Sequence, residues 1–69
     1  PPAPVPVLDR HFQREWRRKA LFRRARDYMR LGQWEYAIKD LLHYINDVGP
    51  LHPKVLEACH DLHYCLLQQ

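Results

Sequence analysis

Glycine and proline residues divide most of the chain into three segments of helical length. Gly32 follows a long stretch without a helix breaker, and Gly49 with Pro50 ends the next segment. Pro53 stands where proline favours the first turn of a helix. The predicted helices run from about Arg10 to Leu31, from Trp34 to Val48 and from Pro53 to about Leu67. Since no segment alternates polar and apolar residues over the length of a strand, we predict an all-α fold.

Apolar residues at helical spacing predict how these helices pack. The second segment has the clearest stripe, made of Trp34, Ala37, Ile38, Leu41, Ile45 and Val48. The whole predicted core is Leu21, Ala25, Tyr28, Met29, Trp34, Ala37, Ile38, Leu41, Ile45, Val55, Cys59, Leu62 and Leu66. We therefore expect an antiparallel helical hairpin closed by a third helix.

The 69 residues are enough for one domain. Prolines make residues 1–8 the end of a proline-rich linker, and Asp9 is a candidate N-cap for the first helix. We expect residues 9–69 to form a single helical interaction domain. No run approaches the roughly 20 apolar residues that a membrane-spanning helix needs.

Positive charge is concentrated in the first predicted helix. Nine of the eleven basic residues are Arg10, Arg14, Arg17, Arg18, Lys19, Arg23, Arg24, Arg26 and Arg30. A helix with this much positive charge predicts an acidic partner, which could be a peptide, a nucleic acid or a membrane surface. The alternative is that it is simply a solvated helix face. Nucleic acid ranks below a protein, because the rest of the chain is slightly acidic and no helix-turn-helix spacing presents a recognition helix.

The first helix has two apolar zones on nearly opposite faces. Leu21, Ala25, Tyr28 and Met29 share one face, and Phe12, Trp16 and Ala20 share the other. Either the helix breaks near Arg18, or its two halves pack against different things. Phe12 and Trp16 then either fold back onto the core of this domain or form an exposed docking patch.

The third predicted helix is apolar over a wider arc than two neighbours can cover. Leu56, His63 and Leu67 lie beside its predicted core stripe. We expect this face to be covered by a partner, and a homodimer that pairs third helix with third helix is one form of that expectation.

The stretch from Leu21 to Tyr44 resembles a tetratricopeptide repeat. The matching positions are Leu21, Ala25, Tyr28, Gly32, Trp34 and Ala37. Arg24 and Tyr44 depart from the family, which has Leu and Ala there, and the terminal proline is displaced to Pro50. The resemblance implies a helical hairpin whose first helix lines a concave surface for peptides, which here would be faced by Lys19, Phe22, Arg26, Met29 and Arg30.

The segment ARDYMRLGQWEYAI, residues 25–38, also resembles an MIT domain, in which a small residue is followed by a turn, an aromatic residue and the start of the second helix. That family is a lone three-helix bundle of about this length. The resemblance implies a short helical tail of another protein, bound in a groove beside the third helix, in ESCRT-type or microtubule-severing machinery.

The residues that carry chemistry in other proteins are sparse here. Cys59 and His63 have zinc-ligand spacing, but no second pair completes a tetrahedral site. Cys59 and Cys65 lie about 9 Å apart along one helix and on different faces, too far for a disulfide, so we expect an intracellular location, cytoplasmic or nuclear. No catalytic sequence motif occurs. We predict no enzyme activity, no metal and no cofactor.

The sequence thus predicts a protein-binding adaptor or scaffold module that holds an acidic or amphipathic peptide or helix of another protein. The predicted contact residues are Phe12, Trp16, Lys19, Phe22, Arg23, Arg26, Arg30, Leu56, His63 and Leu67.

Overall fold

A computed structural model describes residues 10–69 and contains three α-helices in that range. They are α1 (Arg10–Arg30), α2 (Trp34–Val48) and α3 (Val55–Gln68), with no strand in the part described. The predicted all-α fold is therefore confirmed. The predicted proline-rich linker and the Asp9 cap lie outside the described residues.

The turn between α1 and α2 is fixed by the backbone of Gly32. Gly32 has φ +72°, a left-handed conformation that a side chain disfavours. The Gln33 N–H donates to the Tyr28 carbonyl at 2.9 Å, and the Gly32 N–H donates to that of Met29 at 3.1 Å. This is the Schellman pattern of a helix C-terminus, and it returns the chain directly into α2.

The connection from α2 to α3 is longer. Gly49, with φ +79°, donates its N–H to the Ile45 carbonyl at 3.1 Å and ends α2. Residues 50–54 form turns, and the Val55 N–H donates to the His52 carbonyl at 3.0 Å. The third helix therefore begins two residues after the predicted start at Pro53.

α2 is the central helix and packs against both α1 and α3. Three alanines, Ala25 on α1, Ala37 on α2 and Ala58 on α3, have no exposed surface. Small residues at such positions let helix backbones approach closely. The other buried apolar residues are Phe22, Leu41, Tyr44 and Cys65.

The predicted core of α3 was wrong in two places. Cys59 is exposed and Leu66 is half exposed, whereas Cys65 is buried. Ala58 and Cys65 lie seven residues apart and define the true buried stripe, with Leu62 partly buried between them. Cys59 and Leu66 each lie one residue later and so point about 100° away around the helix.

α1 is continuous through Arg18, which excludes the alternative in which the helix breaks there. Instead Arg18 ties the helix to the C-terminal end of α2. Its Nε donates to Oδ2 of Asp47 at 2.8 Å, and its Nη2 donates to the Asp47 backbone carbonyl at 2.9 Å. That carbonyl lies in the last turn of α2, where backbone acceptors lack partners within the helix. Glu15, one turn earlier, accepts from Arg18 Nη1 at 2.8 Å.

Two acidic residues, one on α2 and one on α3, are enclosed by the fold. Asp40 is only 6% exposed and binds Arg24, and Asp61 is partly buried where it accepts a hydrogen bond from Arg26. A buried carboxylate needs a cation or several donors, and both have an arginine from α1. The exposed side of these helices is therefore less acidic than the sequence suggests.

Candidate protein-binding groove

A groove of about 460 Å³ runs along α1 and is bordered by the connection between α2 and α3. Its lining residues are Lys19, Phe22, Arg23, Arg26, Asp27, Arg30, Tyr44 and Lys54. We call it the basic groove, because five of these side chains are cationic and one is acidic. It brings together five of the predicted contact residues: Lys19, Phe22, Arg23, Arg26 and Arg30.

The floor of the basic groove is aromatic. Phe22 and Tyr44 meet edge to face, with ring centroids 4.9 Å apart. Both rings are buried, and burial raises the pKa of the Tyr44 hydroxyl, with Glu15 adding to the rise. The floor therefore carries no charge at neutral pH.

Arg26 is held by acidic residues of α3. Its Nη2 donates to Oε1 of Glu57 at 2.8 Å, and its Nε donates to Oδ2 of Asp61 at 3.1 Å. The guanidinium carbon also lies 4.6 Å from the centre of the Phe22 ring. The hydrogen bond from Arg26, together with the charge of Lys54, holds the pKa of Glu57 below its usual value. Arg26 thus joins α1 to α3 and is already neutralised.

The remaining cations of the groove differ in their partners. Arg30 donates to Asp27 at 2.8 Å, an exposed pair of little energetic weight. The Lys54 Nζ lies 3.8 Å from Glu57. Lys19 and Arg23 have no acidic side chain within ion-pair distance among residues 10–69. The uncompensated positive charge of the groove is therefore concentrated at Lys19 and Arg23.

Phe12 and Trp16 lie outside the groove, on the outer face of the first half of α1. Trp16 is 66% exposed and Phe12 is about half exposed. Neither is part of the core, which contradicts the interpretation in which both fold back onto it. Whether they contact a partner stays a prediction.

The predicted contact residues of α3 form a separate surface. Leu56 is 79% exposed, Leu67 is 68% exposed, and His63 between them is also exposed. Glu57 and Asp61 face α1 through Arg26, so Leu56, His63 and Leu67 point elsewhere. We call these three residues the α3 outer face.

The structure also adds residues to the groove that sequence reasoning did not assign to it. In the sequence, Tyr44 stands out only as a departure from the tetratricopeptide pattern, and Lys54 falls in the first turn of the predicted third helix. Lys54 reaches the groove because residues 50–54 fold back toward α1. The course of an irregular turn cannot be predicted from the periodicity of the sequence.

The two cysteines are free thiols in different environments. Cys59 is exposed, whereas burial raises the pKa of the Cys65 thiol, with Asp61 contributing. Within residues 10–69, no three His, Cys, Asp or Glu side chains are grouped closely enough to hold a metal ion. The absence of a metal, a cofactor and an enzyme activity remains a prediction from the sequence.

Comparisons with known proteins do not assign the chain to a family. No protein-family model, no curated protein and no solved structure matches the chain significantly. The three-helix arrangement and its buried alanines are compatible with the hairpin that both resemblances imply. Among the described residues, no helix combines the length and the apolar character needed to cross a membrane.

Proposed function

We propose that the chain is a protein-interaction module that holds an acidic peptide or helix of a partner protein in the basic groove. The observation that carries the proposal is the position of Lys19 and Arg23. Both lie on the wall of a groove, and neither is neutralised by an acidic side chain of residues 10–69. Uncompensated cations in a concave site attract a ligand of opposite charge.

The character of the floor suggests how such a ligand binds. Phe22 and Tyr44 are already buried by each other, so a ligand gains little by covering them. Carboxylates that meet Lys19, Arg23 and Arg30 then supply most of the attraction. We therefore expect affinity in this groove to fall as salt is added.

Arg26 has a different part in this proposal. Its bonds to Glu57 and Asp61 fix the position of α3 against α1 and so shape one wall of the groove. A ligand carboxylate gains less by meeting Arg26, because Glu57 and Asp61 already balance its charge. Arg26 therefore supports the site, and the exposed cations Lys19, Arg23 and Arg30 make the direct contacts.

A second candidate places the partner on the α3 outer face, as an MIT-like domain would. The exposure of Leu56 and Leu67 on one face of α3 favours it, since large apolar side chains that share an exposed face are unfavourable in water. The ligand there would be a short amphipathic helix that buries leucines. In this candidate, affinity would depend on Leu56 and Leu67 and only weakly on salt.

A peptide-display selection distinguishes the two candidates. The immobilised chain is panned against a random peptide library, and the enriched peptides are then measured on variants. We expect acidic peptides that bind the double variant K19E/R23E roughly tenfold or more weakly, as expected when charged contacts are reversed. The double variant R14E/K39E reverses two exposed cations outside the groove, so it changes the net charge equally and should bind normally.

Two results would contradict the proposal that the partner binds in the basic groove. The first is enrichment of peptides whose binding ignores K19E/R23E but is lost in L56E/L67E, which would select the second candidate. The second is an equal loss in K19E/R23E and in R14E/K39E, which would indicate only a general effect of net charge.

A further inference from the structure

One surface of α1 lies outside the core and shares only one residue, Lys19, with the basic groove. We call it the α1 outer strip, and it consists of Trp16 and Ala20 with Arg17 on one side and Lys19 on the other. All four residues are exposed. Shallow depressions lie on both sides of the Trp16–Ala20 ridge, one reaching Arg17 and the other reaching Lys19 and Arg23.

The arrangement follows from the spacing of the residues. Trp16 and Ala20 lie four positions apart and therefore on one face, and Arg17 and Lys19 project to either side of it. This face is nearly opposite Ala25, which is fully buried against α2. The strip is thus the convex back of a packed helix, with an indole at its centre and cations along both edges.

Its charge is also nearly uncompensated. Between residues 10 and 27 the acidic residues are Glu15 and Asp27, and Arg18 and Arg30 already bind them at 2.8 Å each. Arg17 and Lys19 have no acidic partner within ion-pair distance in the described part of the chain. The ligand of the strip must therefore be anionic and must accept an indole ring.

We infer that the α1 outer strip docks on an anionic membrane surface. The Trp16 ring enters the headgroup region, where tryptophan is favoured, and Arg17 and Lys19 contact lipid phosphates on either side. A convex ridge meets a plane over its whole length. It offers no concave channel that would enclose the bases of a single strand, which is how stacking sites for nucleic acid are built.

Tryptophan fluorescence tests this inference directly. The chain has two tryptophans, so the variant W34F leaves Trp16 as the only indole. Vesicles of equal parts phosphatidylserine and phosphatidylcholine should shift its emission to the blue, and brominated phosphatidylcholine in the same vesicles should quench it. Vesicles of phosphatidylcholine alone should do neither. If W34F does not fold, the difference between the parent and W16F gives the same signal.

The contribution of charge is measured by sedimentation with the same vesicles. R17E should bind roughly tenfold or more weakly, because it reverses a cation at an anionic surface. K39E carries the same change on α2 and should bind like the parent. An unshifted Trp16 emission, or equal binding of R17E and parent, would overturn the inference. So would quenching of Trp16 by an oligonucleotide without binding to vesicles, which would assign the strip to nucleic acid.

Discussion

Arg24 donates two parallel hydrogen bonds to the carboxylate of Asp40, from Nε to Oδ2 at 2.8 Å and from Nη2 to Oδ1 at 2.9 Å. Asp40 is buried on α2, whereas the Arg24 side chain extends to it from α1 and remains more than half exposed. The Arg24 guanidinium carbon also lies 5.9 Å from the centre of the Tyr28 ring. The pair thus joins α1 and α2 where the tetratricopeptide pattern has a leucine on the first helix.

This pair makes an asymmetric prediction for stability. R24L should lower the free energy of unfolding by about 1–3 kcal/mol, because it leaves a buried carboxylate without its donor. Adding D40A should restore much of that loss, since the unpaired charge is then gone. Urea denaturation of the parent, both single variants and the double variant provides the cycle. Simple additivity of the two single losses would show that the pair is not coupled.

The fully buried alanines make a prediction about packing. Replacing Ala25 or Ala37 with leucine should cost about 1–3 kcal/mol, because neither site has room for the added carbons. Ala20, on the exposed back of α1, is the matched control, and A20L should unfold like the parent. Thermal or urea denaturation is sufficient for the measurement. If A25L and A37L are as stable as A20L, the two helices are not in close contact there.

Two carboxylates predict how stability depends on pH. The hydrogen bond from Arg18 holds the pKa of Asp47 below its ordinary value, and the bond from Arg26 does the same for Glu57. Because both groups bind protons more weakly in the folded chain, they stabilise it fully above their ordinary pKa values of about 4. That contribution is lost as the pH falls through the lower pKa values of the folded state.

The melting temperature should therefore decline below about pH 4. In the double variant D47N/E57Q the decline should be shallower, because neither group can titrate. The single variant E35Q, which removes an exposed carboxylate of α2, is the control and should decline like the parent. A double variant that loses stability with acid as steeply as the parent would contradict the role given to the two ion pairs.

The α3 outer face makes a prediction about association. Since Leu56 and Leu67 are exposed and outside the core, L56E/L67E should keep the helical circular dichroism of the parent. If α3 pairs with α3 of a second copy, as predicted from the sequence, the parent should sediment as a dimer and the variant as a monomer. A monomeric parent would rule out that homodimer, and an unfolded variant would show that the two leucines support the fold.

The sequence predicts the helix bounds well because their signals are local. Gly32 and Gly49 both take positive φ angles that end helices, and the stripe of α2 has the period of a helix packed on one side. The full burial of Ala25 and Ala37 was also predictable, since both are small residues on the apolar faces of their helices. α3 was harder, because its apolar residues cover a wide arc. Periodicity alone did not distinguish Cys65 from Cys59.

The groove could be predicted only in part. Lys19, Arg23, Arg26 and Arg30 share a face of α1, and a helix projection is enough to group them. Arg26 binds Glu57 and Asp61, which follow it by 31 and 35 residues in the chain. These bonds depend on how α3 lies against α1. Lys54 enters through an irregular turn. Long-range ion pairs and turn paths arise from tertiary packing, which one sequence does not report.

Binding in the basic groove is tested most directly by a chemical-shift map of the nitrogen-15-labelled chain with an acidic peptide from the display selection. If the peptide binds in the basic groove, the largest amide shifts fall at Lys19, Arg23 and Lys54, they weaken with added salt, and the amides of the α3 outer face are unchanged. Largest shifts at Leu56, His63 and Leu67 instead would contradict the groove and place the partner on α3.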